Sequence, residues 1–233
     1  MERLVLENIS KAFKDNVLFN NINLELEPGS ITGIVGGNGS GKSVLFKIIC
    51  GLMKPNTGKI LLGEKILSKD FEYLPDTGIF IDSPGFIPYY TGFKNLKLLA
   101  DIKGIISEDE IKEWMRFLNL DPELKTKVKN YSFGMKQKLG IVQAIMENQN
   151  IILLDEIFNG LDFKTQKDIK DAIENLKNEG KIILITSHNH QHLEELCDEI
   201  YLLEDKKLVE LNDEAYEKYF GIKRQWLKTL KLI

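Results

Sequence analysis

Residues Gly36-Gly37-Asn38-Gly39-Ser40-Gly41-Lys42-Ser43 fit the pattern G-x-x-x-x-G-K-[ST] in full. Phosphate oxygens need many donors at close range. Four glycines among residues 36–41 let the backbone wrap such a group, because no side chain blocks the approach. A helix opening near Lys42 would aim its N-terminus, and roughly half a positive charge, at the anion. In such a loop the lysine bridges the outer phosphates and the Ser43 hydroxyl ligates Mg²⁺. Farther along, Ile151-Ile152-Leu153-Leu154-Asp155-Glu156 is an aliphatic run ending in two acids. In open α/β sheets, ligands sit at the carboxyl ends of strands. Asp155 would there hold the magnesium through a water, and Glu156 could act as general base on an attacking water. Alone, that run reads as an ordinary strand ending in solvated acids. Beside the glycine loop it reads as the second half of one site.

These residues need a scaffold that brings distant segments together. Arg3–Ile9 and Asn21–Leu26 read as strands, and Pro28-Gly29 as a turn. Ile31–Val35 is a short apolar run entering the glycine loop. Val44–Met53 carries Leu45, Ile48, Ile49 and Leu52 at helical spacing, Asn56-Thr57-Gly58 ends that element, and Lys59–Leu62 restarts a strand. Residues 91–148 look helical. Leu96, Leu99 and Ile102 form one expected face, and Ile111, Met115 and Leu118 beside Trp114 another. Asp121-Pro122 reads as a helix start. Ile151–Leu154 and Ile182–Ile185 are fully apolar strands separated by a helix near Lys164–Asn178. Buried strands alternating with helices imply a parallel sheet covered on both faces. The helical middle reads as an insertion.

Composition bounds the remaining choices. The 233 residues are 43% hydrophobic and 28% charged, enough for a packed core and unlike a disordered chain. Lys plus Arg total 31 against 35 for Asp plus Glu, a formal net charge of −4. The basic excess of a nucleic-acid binder is missing, so no nucleic-acid partner is expected. Cys50 and Cys197 cannot form a disulfide framework and read as small buried hydrophobes of a reducing compartment. No run approaches the roughly 20 apolar residues that cross a bilayer, and Met1–Ser10 shows no cleavable signal.

Three further segments complete an ordered set: Tyr131-Ser132-Phe133-Gly134-Met135-Lys136-Gln137, then Asn159-Gly160-Leu161-Asp162, then Thr186-Ser187-His188. With the glycine loop and the acidic strand end, over about residues 1–210, the chain resembles the ATP-binding cassette family of transport ATPases. The resemblance implies an α/β fold of the P-loop NTPase kind. This has a mostly parallel core sheet, an N-terminal antiparallel β subdomain and an inserted helical subdomain. The expected division is a core of residues 1–90 and 149–210, a helical subdomain of 91–148 and a tail of 211–233. It implies ATP and Mg²⁺ as cofactors and hydrolysis by Glu156, His188 and Lys42. The nucleotide would be held by Phe13, Gly36, Gly37, Asn38, Gly39, Ser40, Gly41, Lys42, Ser43 and Val44. Phe13 matches the aromatic residue that stacks on adenine, and His188 the switch histidine that bonds the γ-phosphate. Ser132 and the Gly134 backbone would contact the γ-phosphate held by a second, identical subunit, and Asn159–Asp162 would line that interface. The metal set would be Ser43, Asp155 and Asp82, the last standing where the family has a loop glutamine.

Departures from the family pattern are equally specific. Phe133 replaces the first glycine of the usual Leu-Ser-Gly-Gly-Gln and Met135 its glutamine, so a ribose contact is lost while the phosphate donors remain. Val44 replaces a common threonine. Asp82 is shorter and charged. The Asp82 carboxylate, the following Ser83-Pro84-Gly85-Phe86 and the Tyr131–Gln137 segment together look like the bacitracin- and lantibiotic-exporter branch. The partner is then a separate transmembrane permease, and the chain a cytoplasmic subunit at the inner membrane face. A peptide, antibiotic or lipid-like cargo follows, the competing reading being a soluble cassette ATPase such as one serving iron–sulfur cluster assembly. The groove for the permease's coupling helix is expected near Ser83–Leu99, where Phe86, Tyr89, Tyr90 and Phe93 could equally pack within the lobe. His188, His190 and His192 could ligate zinc, but alternate residues diverge once a helix begins. The phosphate-sensor role is therefore preferred for His188, and exposed helix-start positions for the other two. The basic Lys223–Ile233 tail reads as a terminal helix packed on its own domain.

Overall fold

The computed structural model describes residues 2–14, 16–82 and 85–220. Two long strands, β1 (Leu4–Phe13) and β2 (Asn16–Leu26), pair antiparallel and are followed by β3 (Ser30–Val35). The glycine loop leads into α1 (Lys42–Ile49), then β4 (Thr57–Leu62), β5 (Lys65–Ile66) and β6 (Thr77–Phe80). Helices α2 (Gly92–Lys103), α3 (Glu108–Phe117) and α4 (Phe133–Ile145) fill the middle. The chain closes with β7 (Ile151–Asp155), α5 (Phe163–Asn178), β8 (Ile182–Ser187), α6 (His190–Glu194), β9 (Glu199–Glu204), β10 (Lys207–Glu210) and α7 (Asp213–Phe220).

Two sheets result. One is antiparallel, in the order β2-β1-β4-β5. The other runs β10-β9-β3-β8-β7-β6 and is parallel except for its β10 edge. Strands β7 and β8 are buried along their whole length, which explains their unbroken aliphatic runs. On one face, Ile152, Leu154, Ile183 and Ile185 share a core with α4, α5, α6 and α7. On the other, Leu153, Ile182 and Leu184 join α1 and the antiparallel sheet. The fold is thus the α/β cassette architecture that the motif order implied.

Three expectations need correction. Helix α2 does not bury Leu99 or Ile102, and Ile102 is 78% exposed. Its inward stripe is Gly92, Asn95, Leu96 and Ala100. A polar residue turns inward there because Asn95 Oδ1 accepts from Ile87 N at 2.7 Å and its Nδ2 donates to Thr91 O at 2.9 Å. Asp121-Pro122 starts no helix. Asp121 Oδ1 accepts from Glu123 N at 2.9 Å and closes a local turn, which leads to a short 3₁₀ turn at Val128–Asn130. Helix α1 stops at Ile49, because Gly51 takes a left-handed φ of 88° against the Glu72 backbone.

The aromatics before α2 divide. Phe86 and Phe93 pack on the core. Tyr89 is exposed, with the Lys129 ammonium 5.1 Å from its ring centre, and Tyr90 lies 4.1 Å from Lys94. Among the described residues no helix is long and apolar enough to cross a membrane. Ser83, Pro84 and the Lys223–Ile233 tail lie outside the described residues.

Candidate functional site

The glycine loop links the end of β3 to α1 at the carboxyl edge of the parallel sheet. Gly41 has φ 105°, and a Cβ there would stand 2.8 Å from Leu18 Cγ, so only glycine fits. A Cβ at Gly37 or Gly39 would meet open space. No side chain caps α1, which leaves its first-turn N–H groups free for an anion. Leu18, Asn38, Gly39, Gly41, Lys42, Ser43, Val44, Glu156 and Asn159 line a cavity of about 310 Å³.

Lys42 is buried under this loop. Its Nζ donates to Gly36 O at 2.7 Å and Gly37 O at 3.2 Å, and pairs with Glu156 Oε1 at 3.0 Å. Ser43 Oγ donates to Asp155 Oδ2 at 2.6 Å. Thr186, in register with Asp155 on the neighbouring strand, donates its hydroxyl to Asp155 Oδ1. The same hydroxyl accepts from Glu156 N at 3.1 Å. Glu156 sits just past β7 with φ 53°, a costly conformation for a side-chain-bearing residue. Its Oε2 accepts from Asn159 Nδ2 at 2.9 Å and from His188 N at 3.1 Å, and lies 3.0 Å from His188 Nδ1. Burial pushes the Glu156 carboxyl pKa up, but Lys42, Asn159 and His188 outweigh it and hold it below the ordinary value. Glu156 is therefore a weak base while Lys42 stays on it.

Lys42, Ser43, Asp155, Glu156 and His188 thus converge, from segments that are remote in sequence. A hydroxyl beside a carboxylate offers hard oxygen ligands, and Mg²⁺ takes few protein ligands and completes its shell with phosphate and water. The Ser43–Asp155 pair fits that ion. Asp82 is not on this pair. It has φ 59° and bonds Lys47 Nζ at 3.0 Å, with most of its side chain exposed. Among the described residues no three His, Cys, Asp or Glu side chains gather as a metal site. The three histidines diverge: His190 packs edge-on to Tyr216 and His192 edge-on to Phe158, at 5.5 and 5.6 Å. Both are half-buried rather than exposed, and burial lowers both pKa values.

Phe13 is 46% exposed, with Lys11 Nζ 5.0 Å from its ring centre, so it is not a core residue. Ser132 caps α4 by accepting from Met135 N at 3.2 Å, and Gly134 lies in the first turn of that helix. Buried Tyr131 anchors the segment by accepting from Gly92 N at 3.2 Å. Ser132 and Gly134 do not join the cavity described above. Three contributions escaped sequence reading, although Asn159 and Thr186 lie in segments it had singled out. Leu18 roofs the loop, Asn159 holds Glu156, and Thr186 holds both acids. The contact of Thr186 with Asp155 follows from their register, which requires knowing which strands are neighbours.

Residues 19–159 match the family described as ABC transporter. The chain is similar to the uncharacterized ABC transporter ATP-binding protein YybJ of Bacillus subtilis (strain 168), at 37% identity over 82% of this chain and 88% of that protein. It is also similar to the bacitracin transport ATP-binding protein BcrA of Enterococcus faecalis, at 34% identity over 88% of this chain and 67% of that one. Among solved structures, the dimeric bacterial ABC transporter cassette MJ0796 superposes with a TM-score of 0.76 at 25% identity, over 88% of this chain and 96% of that one.

Proposed function

Because the chain belongs to the ABC transporter family, we propose that it binds and hydrolyses ATP to drive a separate membrane permease, through Lys42, Ser43, Asp155, Glu156 and His188. The observation that carries the site assignment is the meeting of Lys42, Asn159 and His188 on one carboxylate, Glu156, beside the glycine loop. The phosphates of ATP enter the cavity at the start of α1. They compete with Gly36 O, Gly37 O and Glu156 for the Lys42 ammonium. As Lys42 turns to the phosphates, Glu156 loses its nearest opposite charge. Its pKa then rises toward what burial alone would set, and it becomes the stronger base. Binding therefore arms the base. Ser43 and Asp155 would hold Mg²⁺, which when bound neutralises charge on the phosphates. Phe13 offers its exposed face to the adenine. Asn159 and His188 keep Glu156 oriented at the attacking water.

Ser132 and Gly134, remote from this cavity, serve the ATP of a second copy, and two-fold pairing gives two equal sites. The γ-phosphate favours the closed pair, and its loss on hydrolysis lets the pair open. The permease docks at a groove of about 800 Å³ between α3 and the ends of α4 and α5. Ile106, Trp114, Phe117 and Met146 make its apolar part, and Glu110, Glu113 and Glu179 its acidic part, with no basic residue in the lining. Cytoplasmic loops of membrane proteins are rich in Lys and Arg, which suits an acidic groove. The α3 groove thus stands beside the Ser83–Leu99 segment as a second candidate for the docking surface. Similarity to a bacitracin transport subunit favours export of a peptide or lipid-like cargo from the cytoplasmic membrane face.

The test is Glu156→Gln. It should keep ATP binding, lower turnover by about 10²- to 10⁴-fold and accumulate an ATP-bound dimer in sedimentation. Turnover within a few-fold of the parent would refute Glu156 as the base.

A further inference from the structure

Asp155 and Glu156 are consecutive, yet both reach the start of α1. Asp155 Oδ2 meets Ser43 Oγ at 2.6 Å, and Glu156 Oε1 meets Lys42 Nζ at 3.0 Å. Successive side chains of a regular strand point to opposite faces, so a straight continuation of β7 would aim the two acids apart. The left-handed φ of 53° at Glu156 breaks that alternation. A side-chain-bearing residue keeps such a conformation only where its surroundings enforce it. The enforcing contact comes from the end of β8. Glu156 N donates to Thr186 O at 3.2 Å and to Thr186 Oγ1 at 3.1 Å. The Thr186 hydroxyl has a single proton, which goes to Asp155 Oδ1, so a lone pair faces the Glu156 N–H. Thr186 is fully buried and in register with Asp155, which shields both bonds from solvent. Its β-branch also restricts rotation about χ1.

We propose that Thr186 is the positioning residue for the base: its hydroxyl holds the turn that aims Glu156 at the attacking water. The inference rests on the reading of Glu156 as that base. The bond to Thr186 O would form with any residue at this position. The side chain adds a second acceptor for the Glu156 N–H and ties it to Asp155, which fixes the spacing of the two carboxylates. When Lys42 turns to the phosphates, Glu156 loses its ion pair. The Asn159 amide and the His188 ring and N–H then occupy the carboxylate itself. Thr186 instead holds the main chain, and so restrains Glu156 without using the oxygens that must take a proton.

The experiment measures steady-state turnover, and ATP binding by calorimetry, on the full chain in the parent and Glu156→Gln backgrounds. Thr186→Val removes the hydroxyl at nearly the same shape. It should lower kcat by about ten- to a hundredfold, with KM and ATP affinity within a few-fold of the parent. Thr186→Ser keeps the hydroxyl and should recover most of that loss. In the Glu156→Gln background Thr186→Val should cost almost nothing further, because a residue that acts through the base has nothing left to position. Parent-like kcat in Thr186→Val overturns the proposal and leaves the base reading intact. An equal loss in both backgrounds also overturns it, assigning Thr186 to Asp155 or to the fold at large. So does a Thr186→Ser chain as slow as Thr186→Val. If the valine variant does not fold, Thr186→Ala takes its place in the same two backgrounds. If Glu156→Gln itself turns over like the parent, the base reading fails and the proposal falls with it.

Discussion

Glu156 carries an opposing cation, an amide and an imidazole on one carboxylate, and the ion pair predicts separable effects at its two ends. Lys42 is bonded to its own loop and to Glu156. Lys42→Ala should lower ATP affinity by about ten- to a hundredfold, the worth of a charged hydrogen bond. Glu156→Gln should bind ATP at least as tightly as the parent, because the competing ion pair is gone. Calorimetry of the two variants checks both, and weaker binding by Glu156→Gln would contradict the competition. Lys42, Ser43, Asp155 and Glu156 were legible because their chemistry is local: a glycine-lined turn, and acids at a strand end. The partners of Glu156 were not. Asn159 is three residues away across an irregular turn, and His188 is a whole strand–helix–strand unit away.

At the scale of elements, close packing decides most outcomes. A Cβ at Gly78 on β6 would run into the Ala144 carbonyl of α4. Backbone cannot yield as a flexible side chain can, so Gly78→Ala should destabilise the fold by about 3 kcal/mol. A urea midpoint within error of the parent would contradict that packing. Helix α6 makes a second prediction, in pH. Burial, then Lys170 and His188, hold the His192 pKa below its ordinary value, while Glu195 and Glu156 pull the other way. Near pH 6.5 the unfolded chain gains a proton that the folded chain refuses, so stability falls as pH drops below that point. The thermal midpoint should decline between about pH 7 and 5.5, and His192→Gln should flatten the decline. Strands β7 and β8 and the helix α5 between them followed from hydrophobic pattern. The rotation of α2 did not, because Asn95 is turned inward by hydrogen bonds to backbone that precedes the helix.

For the whole molecule, motion must pass from the nucleotide to another chain. Trp114→Ala together with Glu113→Lys, both in the α3 groove, should reduce the permease recovered with this subunit far more than ATP turnover. Equal loss of both would place the groove inside the catalytic unit. Asp82, held by Lys47 on α1, should behave likewise, with Asp82→Ala lowering transport more than basal hydrolysis. The sequence alone determined the chemistry, the motif order, the alternation of strand and helix, and the family these imply. All of these are encoded in short windows, where residue type and period suffice. Only the tertiary structure decided which side chains meet. It put Lys42 on Glu156, Thr186 under Asp155, and Asp82 on Lys47. Those meetings depend on strand register, helix rotation and the crossing of segments remote in sequence, which no local pattern specifies.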